Sequence, residues 1–166
     1  MSDPIQAFAE RIRDAAARKA PLRIRGGGTK DFYGQALEGE VLDTRGYAGV
    51  VDYEPTELVV TVRAGTPLAD LEKTVAERNQ MLAFDPPGFG DGATVGGVVA
   101  SGLSGPRRAA AGAVRDFVLG VRIVDGRGDD LRFGGTVMKN VAGFDVSRLV
   151  AGSLGTLGLI TEVSVK

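Results

Sequence analysis

Between residues 90 and 108 the chain reads GDGATVGGVVASGLSGPRR, six glycines within sixteen residues, and no other feature limits the available folds as strongly. A glycine in a helix interior costs roughly 1 kcal/mol relative to alanine, so this run needs a compensating gain. Glycine lets the main chain approach another group closely and adopt positive φ. Two further clusters occur, RGGGTK at 25–30 and GSLGTLG at 152–158, and the long run itself contains GATVGG at 92–97. Turns of this kind expose consecutive backbone N–H groups, which together form a nest for an anion, and a helix N-terminus adds partial positive charge. Each cluster alone is also explained by a turn or a close packing contact. Three together point to a ligand that carries phosphate.

Composition narrows the chemistry. The 166 residues, 43% hydrophobic and 25% charged, suit one compact domain with a core. A net charge of −1 argues against nucleic acid or a polybasic membrane anchor as partner. The N-terminal MSDPIQAFAERIRD lacks the apolar stretch of a secretory signal, and the expected location is cytoplasmic, or peripheral at the inner face of the membrane through partners. The sequence contains no Cys and no His. Thiolate nucleophiles, Cys- or His-ligated metals, Ser-His-Asp hydrolysis and a histidine base are thereby excluded within it. No acidic cluster has the spacing of a metal site, so no metal is expected, and an organic cofactor is the economical alternative.

Element signals alternate. Asp3 and Pro4 open a helix with Ile5, Phe8 and Ile12 on one face. Strands are expected at 22–25, 41–44, 50–53 and 58–65, then a helix started by Thr66 and Pro67 with Leu68, Leu71 and Val75 inward. Thr94 is expected to cap a short helix within the glycine run. Residues 117–133 read as a hairpin around a turn at 125–128. The last segment alternates Leu159, Thr161, Val163 and Val165 with Ile160, Glu162 and Ser164, as a half-buried strand does. Asp145 marks a further helix start.

Common nucleotide motifs do not apply. Lys30 is followed by Asp31 and there is no GxxxxGK[ST]. The loose GxGxxA at Gly88, Gly90 and Ala93 follows Pro86 and Pro87, where a Rossmann strand would have to run.

In order, RGGGTK, PTELVVTVRAGTPL, DPPGFGDGATVGGVVASGLSGPRR, VRDFVLGVRIVDGRG, MKNVAGFDVSRL and GSLGTLGLITEVSVK resemble the FAD-binding domain of the vanillyl-alcohol-oxidase/p-cresol-methylhydroxylase family. The likeness is greatest to the smaller flavin subunits of bacterial glycolate oxidases (glycolate dehydrogenases) and runs from Pro21 to Lys166. The resemblance implies an α+β fold of two subdomains, at about 1–80 and 81–166, with a small parallel sheet, a larger antiparallel sheet and flanking helices. It implies FAD bound between them, with Gly26, Gly27, Gly28 and Thr29 wrapping the diphosphate and Thr94, Val95, Gly96 and Gly97 closing it from the other side. Gly158 and Ile160 would meet the adenine end, and Pro87 and Gly88 would run beside the flavin. The family often tethers FAD through histidine; with no His or Cys, a non-covalent flavin is expected here.

The same resemblance implies oxidation of a small glycolate-like 2-hydroxy acid to a 2-oxo acid, in a complex with a second flavin subunit and an iron–sulfur subunit. The family's substrate-holding cap region is absent from these residues, no catalytic residue is assignable, and the isolated chain is expected to be inactive. A non-catalytic nucleotide-binding or assembly module is the alternative. Arg107 and Arg108 suit a phosphate, a partner or a solvated face. Arg115 and Asp116 suit a cap or ion pair as well as a flavin contact, and Lys139 and Asn140 suit ordinary loop chemistry as well as a ligand. Tyr33, Tyr47 and Tyr53 are expected to pack.

Overall fold

The computed structural model describes residues 3–137 and 143–166. Helix α1 (Pro4–Arg18) begins as its sequence dictates: the Asp3 carboxylate accepts a hydrogen bond from the Ile5 N–H at 3.0 Å and proline occupies the first turn, where its missing N–H costs nothing. Strands β1 (Leu22–Arg25) and β2 (Glu40–Asp43) then pair in parallel as a separate two-stranded sheet. The buried face of α1, with Ile5, Ala9 and Ile12, packs with Leu42, Val124 and Leu159.

The larger sheet is antiparallel throughout, in the order β3 (Val50–Glu54), β4 (Val59–Arg63), β7 (Leu159–Val165), β5 (Val118–Val124), β6 (Asp130–Gly134). Its central strand is the last in the chain, and β3 and β4 from the N-terminal half pair into the same sheet. Sheet membership therefore changes at β3, well before the expected subdomain boundary near residue 80. Helices α2 (Leu68–Ala76) and α3 (Val95–Ser101) bury Leu68, Leu71, Val75, Val95, Val98 and Val99 with Val60, Val62, Val121 and Val163 of the sheet in the main core. Short helices α4 (Arg108–Ala111), α5 (Val114–Phe117) and α6 (Val146–Val150) complete the connections; Asp145 caps α6 through the Arg148 N–H.

Three local expectations need correction. Thr66 does not cap α2; its hydroxyl donates to the Arg63 carbonyl at 2.6 Å and accepts from the Gly49 N–H at 2.9 Å, tying the β4 end to the turn before β3. Leu58 is not in a strand, having φ +59° in the turn between β3 and β4. Strand β7 is not half-buried with simple alternation. Arg122 pairs with Glu162 but Ile123 pairs with Ile160, so Thr161 is an extra residue in β7, a β-bulge that reverses which side chains share a face. Ile160, Val163 and Val165 consequently join the main core while Leu159 packs in the cluster under α1.

Candidate functional site

A cleft of about 340 Å³ opens between the β1–β2 unit and the β4–α3–β7 part of the main domain, within the range of small-molecule and cofactor sites. Its walls include Gly26, Gly27, Gly28, Thr29, Thr94, Gly96, Gly97, Gly158 and Ile160, so segments from all three glycine clusters meet at one place. The expected residues Val95, Pro87 and Gly88 are not in its lining. Val95 turns into the core, 3% exposed, and Pro87 and Gly88 are half-buried outside the cleft.

The first cluster leaves β1 and runs directly under the second. A Cβ on Gly27 would overlap the Gly92 carbonyl oxygen, and one on Gly26 would overlap the Thr94 hydroxyl; bare backbone here permits the two loops to touch. Farther along, a Cβ on Gly96 would lie 2.7 Å from that of Ala64, so the glycine seats α3 on the β4 end. The compensating gain demanded by the glycine run is therefore partly packing.

Hydrogen bonding separates the two loops. Among the described residues, the N–H groups of Gly26, Gly27, Gly28 and Thr29 find no acceptor, although such groups are normally paired unless water or a ligand meets them. In the facing turn the donors are already used: Val95 N–H donates to the Thr66 carbonyl, Gly96 N–H to the Ala64 carbonyl and Gly97 N–H to the Thr94 hydroxyl at 3.3 Å. Residues 26–29 thus keep four backbone donors free at the cleft, whereas the amides of residues 95–97 are already engaged.

The charged lining favours an anion. Asp31 bridges Arg23 at 2.8 Å and Arg25 at 2.9 Å, and the Arg23 Nε is buried without a partner. Lys30, absent from the predicted site residues, also lines the cleft, and burial pushes its ammonium below the usual lysine pKa. Its signal in the sequence was only its place at the end of RGGGTK. Leu154, Gly155, Thr156 and Ile160 also line the cleft, Leu154 and Ile160 giving it apolar surface. Free backbone donors, cationic side chains and apolar surface in one cleft suit a nucleotide-like group; among the described residues no group of His, Cys, Asp or Glu is arranged to hold a metal.

The remaining candidates lie elsewhere. Arg107 and Arg108 are exposed, Arg107 donating to the Met81 sulfur at 2.9 Å. Asp116 accepts from the Ala113 N–H at 2.9 Å and closes the turn that starts α5. Tyr47 and Tyr53 donate to Glu162 and Gln80, whereas Tyr33 lines the cleft. Lys139 and Asn140 lie outside the described residues.

Comparison with known proteins agrees with this geometry. The FAD binding domain family matches residues 4–146. The chain is 53% identical over 164 residues to glycolate oxidase subunit GlcE of Escherichia coli, covering 99% of this chain and 47% of that protein. It is 33% identical over 150 residues to glycolate oxidase subunit GlcD of Bacillus subtilis, covering 89% and 32%, and 32% identical over 144 residues to the mitochondrial D-lactate dehydrogenase [cytochrome] 1 of Saccharomyces cerevisiae, covering 80% and 24%. The chain thus spans between about a quarter and a half of these relatives. A solved structure of alkyldihydroxyacetonephosphate synthase superposes with a TM-score of 0.73 at 24% identity, over 95% of this chain and 29% of that one, and shares its fold.

Proposed function

This chain belongs to the FAD binding domain family, of the vanillyl-alcohol-oxidase/p-cresol-methylhydroxylase type, and from that membership we propose that it is the FAD-holding part of a subunit that oxidises glycolate-like 2-hydroxy acids to 2-oxo acids. The observation that carries the site assignment is the row of unpaired N–H groups at Gly26–Thr29 in a cleft also lined by Arg23, Arg25 and Lys30. When bound, FAD supplies the two-electron acceptor for oxidation of the acid's C–H bond.

In this reading Gly26, Gly27, Gly28 and Thr29 hold the diphosphate by backbone donation. Thr94 adds a hydroxyl, and Gly96 and Gly97 keep the floor free of side chains. Val95 contributes by anchoring α3 in the core rather than by touching the ligand. Gly158 and Ile160, with Leu154, receive the adenine end. Pro87 and Gly88 flank the ring system from outside the cleft. The 53% identity to a glycolate oxidase subunit supports the substrate class and a multi-subunit complex; in this reading the partners are a second flavin subunit and an iron–sulfur subunit, in a cytoplasmic complex or one held peripherally at the inner membrane face. Among the described residues no helix is long and apolar enough to cross a membrane.

Of the two carboxylates that line the cleft, Asp31 is engaged by two arginines and Glu38 is exposed to solvent; in this reading substrate positioning belongs to other parts of the complex. The test is spectroscopic. Purified chain mixed with FAD and desalted is expected to retain flavin absorption at one-to-one occupancy. A colourless protein whose melting temperature FAD leaves unchanged identifies a non-catalytic assembly module instead. Glycolate-dependent dye reduction is expected with the partner subunits present and not with the chain alone; turnover by the chain alone at the rate of the complex refutes the division of labour.

A further inference from the structure

Three cations line the cleft, and they are not equivalent. Arg23 and Arg25 share the single carboxylate of Asp31, so each guanidinium is already held in an ion pair, although one of their two positive charges stays uncompensated. Lys30 forms no ion pair among the described residues. Its ammonium donates a long hydrogen bond to the Thr29 hydroxyl at 3.4 Å and lies 5.8 Å from the centre of the Phe89 ring, near the outer limit of a cation–π contact. Yet it is not a freely solvated lysine: the residue is half-buried at the cleft wall, and Phe89 is held over it by an edge-on contact with Phe32 at 5.1 Å. A partly desolvated ammonium with only weak partners is unfavourable unless an anion completes its shell. The four residues immediately before it, whose N–H groups find no acceptor among the described residues, line the same cleft.

From this arrangement we infer that Lys30 is the counter-charge of the cofactor's diphosphate, a phosphate-binding side chain that complements the backbone nest of residues 26–29; the inference rests on the cleft reading above. The division of labour is physical. Backbone donors fix where the phosphates sit, and the ammonium supplies a full charge that the partial charges of the nest cannot. Arg25 cannot substitute, because its guanidinium lies where a Cβ on Gly28 would be and is tied to Asp31.

The experiment compares Lys30→Gln and Lys30→Arg with the parent chain, titrating apoprotein with FAD by flavin fluorescence and displacing it with ADP or adenosine. The Gln variant is expected to weaken FAD and ADP by about ten- to a hundredfold, to leave adenosine affinity unchanged, and to show a shallower fall of FAD affinity with salt; the Arg variant recovers most of the loss. Melting temperatures of the apo forms should coincide. Equal FAD and ADP affinity in Lys30→Gln and parent overturns the assignment of Lys30. Gly97→Asp is measured beside it: if that variant also binds FAD as the parent does, the cleft reading itself fails, whereas loss in Gly97→Asp with none in Lys30→Gln rejects Lys30 alone.

Discussion

Gly97 lies in the first turn of α3, lines the cleft, and has only the Thr94 hydroxyl, 3.2 Å away, near the place a Cβ would occupy. A side chain there fits the backbone and enters the ligand's space. Gly97→Asp is therefore expected to lower FAD affinity at least a hundredfold while the apoprotein keeps its melting temperature, because a like-charge contact at ~4 Å costs on the order of 4 kcal/mol at an effective dielectric of ~20. The control must be chosen from the structure. Gly39 is exposed, but it has φ +116° and a Cβ on it would overlap the Pro21 carbonyl, so an aspartate there would strain the chain. Gly126, exposed in the β5–β6 turn with nothing within 4 Å of a Cβ, is the sound comparison, and Gly126→Asp is expected to bind FAD as the parent does.

At the scale of elements, the centre of the large sheet is cross-linked by charge. Arg122 on β5 donates through Nε and Nη2 to both Asp130 oxygens on β6, at 2.9 and 2.8 Å, and through Nη1 to Glu162 on β7 at 2.8 Å; the Tyr47 hydroxyl donates to the same Glu162 oxygen at 2.9 Å. Arg122 and Glu162 side chains are only 17% and 12% exposed. Arg122→Met leaves a poorly solvated carboxylate and is expected to destabilise by about 2 kcal/mol, less than for a fully buried pair. Hydrogen bonding to Arg122 also holds the Asp130 carboxyl below its ordinary pKa. A depressed folded-state pKa contributes stability that is present above the ordinary carboxylate range and is lost as pH falls through the folded value. Parent and variant melting temperatures should therefore differ at neutral pH and converge on acidification; a difference that widens in acid contradicts this account. Helix α1 offers a simpler case: Asp3→Ala removes the cap on Ile5 and should cost about 1 kcal/mol in thermal or urea unfolding.

In the whole molecule the cleft lies where a two-stranded unit meets a larger sheet. FAD binding that spans both is expected to raise the melting temperature in proportion to the logarithm of free FAD. With neither His nor Cys in the sequence, acid precipitation should release all flavin to the supernatant; yellow colour remaining in the pellet refutes a non-covalent cofactor. Salt should weaken FAD binding through the cationic wall of Arg23, Arg25 and Lys30, though less than for an open surface site.

Local chemistry was readable from residues alone. The Asp3–Pro4 start of α1, the Thr94 cap of α3 and the hairpin around residues 125–128 each depend on interactions between residues near in sequence, and the glycine clusters stand out by a backbone freedom that only glycine has. What required the fold was anything set by partners distant in the chain. The bulge at Thr161 reflects pairing with β5, almost forty residues earlier, and no alternation within β7 reveals it. The same holds for the engaged N–H groups of Val95 and Gly96, whose acceptors Ala64 and Thr66 lie on the β4 end, and for Lys30, which has the same side chain as any surface lysine. Composition and spacing pointed to bare backbone suited to a phosphate-bearing ligand, and the family resemblance implied which one. Tertiary structure decided which amides stay unpaired and which cation lacks a counter-ion, because both depend on what the remainder of the chain has already brought within reach.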